Sequence, residues 1–159
     1  MLTVFEIPKA FTPVGGYGDQ MPAPVLANCT DSLAVGIPDL RGFWRAVDVR
    51  VNGETAPPTL KVWQHLERIE QAGNRVVITA GGVVHDMYAD GTFENGVNDV
   101  AAADFKSPIS VAATFESDVL VLRPHGFDGV EIKRWLDGEH LMWEYSTFFT
   151  VRLERVKQE

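Results

Sequence analysis

Only one cysteine, Cys29, occurs among the 159 residues. A lone thiol cannot close an internal disulfide, which fits a reducing compartment. Cations are also scarce: 14 Lys and Arg against 22 Asp and Glu give a formal net charge of −8. Those cations are scattered rather than clustered, so nucleic acid and anionic membrane surfaces are not the expected partners. Long apolar runs are missing as well. Runs such as Val119 to Leu122 fall far short of the roughly 20 residues that span a bilayer, and no membrane insertion is expected. The start MLTVFEIPKAF has no basic beginning and no continuous apolar stretch before a small-residue cleavage site. It does not read as a secretory leader, and a cytoplasmic location is the expectation.

Catalytic and cofactor motifs are equally thin. His65, His85, His125 and His140 stand singly, without the short paired spacing that puts two ligands on one element, so no metal site is read. Gly16-Tyr17-Gly18 lacks the third glycine and the strand-to-helix setting of a dinucleotide site. No phosphate loop and no glycine-x-serine-x-glycine elbow occurs, which leaves nucleophilic hydrolysis without a basis. Haem would need one inward histidine as axial ligand, with His85 or His125 as the candidates. No cofactor is implied.

What the sequence has in quantity is short segments rich in Val, Ile, Phe, Trp and Thr, spaced by turn signals from Gly42 onward. No stretch keeps a helical period over three turns. Ten strands are expected: Gly42 to Val51, Leu66 to Gln71, Arg75 to Ala80, Val83 to Ala89, Thr92 to Glu94, Ser110 to Glu116, Val119 to Arg123, Gly129 to Leu136, Leu141 to Ser146 and Phe148 to Arg155. Ala72-Gly73-Asn74, Asp90-Gly91, Asn95-Gly96, Asp128-Gly129 and Asp137-Gly138 supply residues that tolerate positive φ between them, as tight hairpins require. So many sequential hairpins must split or close, and closure removes exposed edges. The expected fold is all-β, a closed up-and-down antiparallel barrel of about 8–10 strands.

Between Glu54 and His65, Pro57-Pro58 followed by Thr59-Leu60-Lys61-Val62-Trp63 suits a short helical lid segment with proline near its start. The first forty residues differ in character, with Pro8, Pro13, Pro22, Pro24 and Pro38 and only Leu2 to Ile7 reading as a strand. Two parts follow: an N-terminal arm, residues 1–39, packing on the barrel or on a partner, and a barrel domain, residues 40–159. A homodimer through the arm is left open.

Gly42-Phe43-Trp44, within Leu40-Arg41-Gly42-Phe43-Trp44, resembles the glycine-x-tryptophan element of the first strand in calycins, the superfamily of lipocalins and intracellular fatty-acid-binding proteins. The downstream order is similar too. Glu67 to Asn74 and Trp135-Leu136-Asp137-Gly138 resemble the paired-strand turns of fatty-acid-binding proteins, and Phe149 to Arg155 resembles their closing strand. The likeness covers about Leu40 to Val156. It implies a tryptophan capping an apolar floor beneath a cation–π arginine of the last strand, with Arg152 first choice and Arg155 second. An ordinary core aromatic is the other reading of Trp44. The family's carboxylate clamp does not carry over, because Val151 and Leu153 take the places of its inward arginine and tyrosine. The family's second anchoring arginine falls near Lys133.

Strand alternation names the lining. Phe149, Val151 and Leu153 share one face, as do Leu141, Trp143 and Tyr145, and Phe115, Phe127 and Trp135 add aromatic surface. The ligand-binding candidates are therefore Phe115, Lys133, Trp135, Trp143, Tyr145, Phe149, Val151 and Leu153. The same side chains would equally serve as plain filling of a barrel. His85 and Tyr88, which alternation sets on opposite faces of Val83 to Tyr88, are the catalytic candidates, since either could donate a hydrogen bond or move a proton if it faced inward. The leading expectation is an intracellular binding protein for an apolar small molecule such as a fatty acid, terpenoid or polyketide. The alternative is an isomerase or cyclase working on an apolar substrate in the same barrel.

Overall fold

The computed structural model describes residues 2–157. Among these residues eleven strands form one antiparallel sheet: β1 (Gly42–Val51), β2 (Glu54–Thr55), β3 (Leu66–Ala72), β4 (Arg75–Ala80), β5 (Val83–Tyr88), β6 (Val97–Val100), β7 (Pro108–Glu116), β8 (Val119–Pro124), β9 (Ile132–Asp137), β10 (His140–Tyr145) and β11 (Phe149–Arg155). Neighbours run in the order β5-β4-β3-β1-β11-β10-β9-β8-β7-β6, with β2 paired only to β1. Pairing of β1 with β11 wraps the meander on itself, so the sheet is a nearly closed barrel. Its seam lies between β5 and β6. There the backbone is joined by the Tyr88 N–H to the Asn95 carbonyl at 2.8 Å, and by a side-chain bond between His85 Nε2 and the Val100 carbonyl oxygen at 3.1 Å. The single 3-10 turn Lys61–Gln64 follows β2, and no helix among the described residues is long and apolar enough to cross a membrane.

Cross-strand register fixes which residues face inward, because paired residues share a face. Trp44, Val49, Ile69, Val76, Met87, Val97, Ala113, Leu120, Leu141, Val151 and Leu153 belong to one buried cluster. The floor is the end carrying Trp44, which is fully buried and donates its indole N–H to the Leu40 carbonyl at 3.0 Å. The Arg155 guanidinium lies over the Trp44 ring, 4.3 Å from its centroid. Arg152, the first choice from the sequence, faces outward and pairs with Asp137 at 3.2 Å. The reason is register: Trp44 lies opposite Arg155, while Arg152 lies opposite Asp48. Gly42 is required by this packing, since a Cβ there would collide with Arg155 and press on Trp44.

Much of the segment between residues 4 and 29 lies against the outer faces of β3, β4 and β5, while Leu40, just before β1, joins the interior cluster at the floor. Val4 and Leu26 bury with Ala72, Val77 and Val84, and Ile7, Ala10, Tyr17, Val25 and Cys29 pack around them. A polar clasp lies beneath. Arg75 grips Asp86 through Nε–Oδ1 at 2.8 Å and Nη2–Oδ2 at 2.6 Å, and donates its remaining N–H groups to the carbonyls of Val4, Ile7 and Pro8. Those carbonyls explain why Leu2 to Ile7 is not a strand: they accept from a guanidinium instead of a ladder, and only an isolated bridge joins Leu2 to Cys29. Thr92 to Glu94 is likewise a loop, closed by the Asp90 carboxylate on Thr92 and Asn95. The strand beside β7 is instead Val97–Val100.

Candidate ligand-binding site

The interior is not uniformly sealed. Toward the floor the inward side chains are almost wholly buried, while the opposite end, the mouth, is ringed by half-buried Val51, Val62, Trp63, Ile132, Tyr145 and Phe149. Trp143 stands between the two zones, 8% exposed. Its ring lies 4.2 Å from His65, 5.1 Å from Phe149 and 6.4 Å from Tyr145, centroid to centroid. These are ordinary aromatic contact distances, so the four rings form one continuous surface.

A charged cluster sits within this greasy setting. Glu67 on β3 and Arg134 on β9 reach across the barrel and meet in a two-pronged pair, Nε to Oε2 at 2.9 Å and Nη2 to Oε1 at 3.1 Å. His65 Nε2 adds a bond to Glu67 Oε1 at 2.6 Å. Burial alone would raise the pKa of the fully buried Glu67 carboxyl, but the Arg134 charge and the His65 bond outweigh it and hold it at about 2. Arg134 also lies over the Trp143 ring at 5.1 Å. The indole Nε1–H of Trp143 is buried and has no hydrogen-bond acceptor among the described residues. A buried donor without a partner costs free energy, so each such group calls for an explanation.

The sequence candidates divide by face. Trp143, Tyr145 and Phe149 are brought together at the mouth, and Val151 and Leu153 face the same interior but are fully buried within its packed lower part. Phe115 also faces inward, opposite Leu120 and half-buried. Lys133 and Trp135 do not line the interior. Inward-facing Arg134 sits between them, and strand alternation turns its neighbours out, Lys133 opposite Glu144 and Trp135 opposite Met142. Phe127 is exposed in the loop before β9. His85 faces inward opposite Ile78, and its pKa is lowered, chiefly by burial. Tyr88 faces outward, stacked on Phe5 and donating to the Val4 carbonyl at 3.3 Å. Its catalytic candidacy inside the barrel is thus corrected, because it shares the outer face with Arg75.

No protein-family model matches the chain, and no curated protein matches it. Solved structures do. Human cRBP IV matches with a TM-score of 0.57 at 15% sequence identity, covering 75% of this chain and 99% of that one. The likeness is one of fold: a nearly closed antiparallel β-barrel.

Three residues that matter most here, His65, Glu67 and Arg134, were not singled out by sequence. A charged side chain in a strand reads as solvated. The one available signal was parity: Glu67 alternates with Ile69, and Arg134 with Ile132.

Proposed function

We propose that this calycin-like barrel holds one apolar small molecule at its mouth, against the joined rings of Trp143, Tyr145 and Phe149. The observation that carries this reading is the half-buried aromatic and aliphatic ring inside a barrel otherwise packed to the floor. Such a surface gains roughly 25 cal/mol for each Å² of apolar area that a ligand covers. The name of the structural neighbour, human cRBP IV, is that of a cellular retinol-binding protein, which supports a cargo of this class. In this reading the 3-10 turn Lys61–Gln64 is the lid through which the molecule enters, and residues 1–39 are an arm bracing a barrel of residues 40–159.

Titration with the neutral, polarity-sensitive dye Nile red tests it. Saturable binding at one site is expected, weakened about tenfold or more by Phe149→Ala through lost apolar contact and unchanged by Trp135→Ala on the outer face. Absence of saturable binding, or equal loss in both variants, overturns the proposal.

A second reading, an isomerase or cyclase acting in the same place, draws on the 2.6 Å bond between His65 and Glu67. A carboxylate that orients an imidazole is the arrangement proton transfer uses. His65, not His85, would then be the catalytic residue, since its ring is held by a carboxylate and lies 4.2 Å from Trp143, whereas the Nε2 of His85 meets a backbone carbonyl oxygen. Substrate turnover abolished by His65→Gln while Nile red binding persists would establish this reading, and unaltered turnover would exclude it.

A further inference from the structure

Resting on the proposed binding at the mouth, we infer that the cargo is an uncharged molecule carrying a hydrogen-bond acceptor, such as an ester, ketone or alcohol, and that the barrel discriminates against carboxylates. Two features inside the barrel lead to this.

First, the cation nearest the aromatic surface is already answered. Arg134 gives Nε and Nη2 to the two oxygens of Glu67, and that two-pronged fork is the geometry by which a guanidinium would otherwise grip a ligand carboxylate. Glu67 is fully buried. A ligand carboxylate brought beside Trp143 would meet the ionised Glu67 and add a negative charge with no new counter-charge. An uncompensated charge in a dry interior is strongly disfavoured.

Second, the same place holds an unanswered neutral donor. The Trp143 indole N–H is buried without an acceptor among the described residues, on a residue that register points inward beside Phe149 and Tyr145. A carbonyl, ether or hydroxyl oxygen delivered there would satisfy it. A pure hydrocarbon would bury the rings but leave the N–H unmet, and an acceptor is therefore preferred to a methyl of the same size.

The test is displacement of Nile red by a matched series with one apolar body: lauric acid, methyl laurate, dodecanol and dodecane, at pH 7.5. Methyl laurate and dodecanol are expected to compete at least tenfold better than laurate and several-fold better than dodecane. Trp143→Phe keeps a ring and deletes the N–H, so the margin over dodecane should fall to about one. Glu67→Gln frees Arg134, and laurate should then gain tenfold or more relative to its ester. Laurate competing as well as methyl laurate in the native protein overturns the inference, as does a Trp143→Phe variant that keeps its margin over dodecane. Should Glu67→Gln fail to fold, those two comparisons still decide. Failure of Nile red itself to bind is a different result, and it removes the proposed function beneath.

Discussion

Individual side chains carry unequal weight in this barrel, and Trp44 carries a great deal. It is fully buried, stacked beneath Arg155 and bonded to the Leu40 carbonyl. Trp44→Ala leaves a large void at the floor and an unmet carbonyl, and should cost about 3–5 kcal/mol in urea unfolding. Trp44→Phe keeps most of the volume and loses the hydrogen bond, and should cost about 1–3 kcal/mol. Glu67 makes a sharper contrast. Glu67→Ala strands Arg134 as a buried charge, which costs about 3–5 kcal/mol. Replacing both by apolar residues should recover much of that loss, and a double-mutant cycle would read the coupling. The sequence shows Trp44 because glycine-x-tryptophan is a pattern of residue types. It hides Glu67 and Arg134 because their partnership spans 67 positions and exists only once β3 and β9 face each other across the interior.

At the scale of elements, the hairpins from β3 to β5 and from β7 to β11 were legible, since period-two alternation and turn residues are local signals. The stretch from Asp90 to Val100 was not. Asn95-Gly96 looks like a two-residue turn between strands, yet the Asp90 carboxylate gathers Thr92 and Asn95 into a wider loop and displaces the strand to Val97–Val100. The segment before β1 was legible only as irregular. Nothing in its prolines announces that Arg75 and Asp86, both nearly fully buried, hold it to the outer wall. Asp86 accepts from the Ala10 N–H at 2.9 Å as well as from Arg75. Asp86→Ala should therefore cost about 3–5 kcal/mol by leaving Arg75 unpaired. Hydrogen exchange should show residues 4–12 released before the strands. Equal protection of that segment in variant and native protein would show that apolar packing alone holds it.

For the whole molecule the weak line is the seam. Ten strands close on one another everywhere except between β5 and β6, where Thr12 ties both sides, its hydroxyl accepting from the Val84 N–H at 3.0 Å and its own N–H donating to Asp99 at 2.9 Å. Amide exchange is expected to be fastest at this seam. His85 also crosses it. Burial, the largest influence on that histidine, lowers its pKa, and Arg134 lowers it further, while the Val100 carbonyl and Asp99 act in the opposite direction. A histidine whose pKa is depressed on folding binds its proton more readily when unfolded, so its contribution is complete above pH 6.5 and is lost as pH falls toward the folded value. Glu67 acts lower on the scale. Its carboxyl titrates near 4.5 when free and at about 2 when folded, so its contribution is complete above about pH 4.5 and is lost as pH falls toward 2. Acid should weaken the barrel in two stages, the seam first and the Glu67–Arg134 pair second. Urea midpoints measured from pH 8 to 3 should fall below pH 6.5 and again below 4.5. His85→Gln should remove the first decline and leave the second. A single decline confined to the lower range would mean that opening the seam does not limit stability.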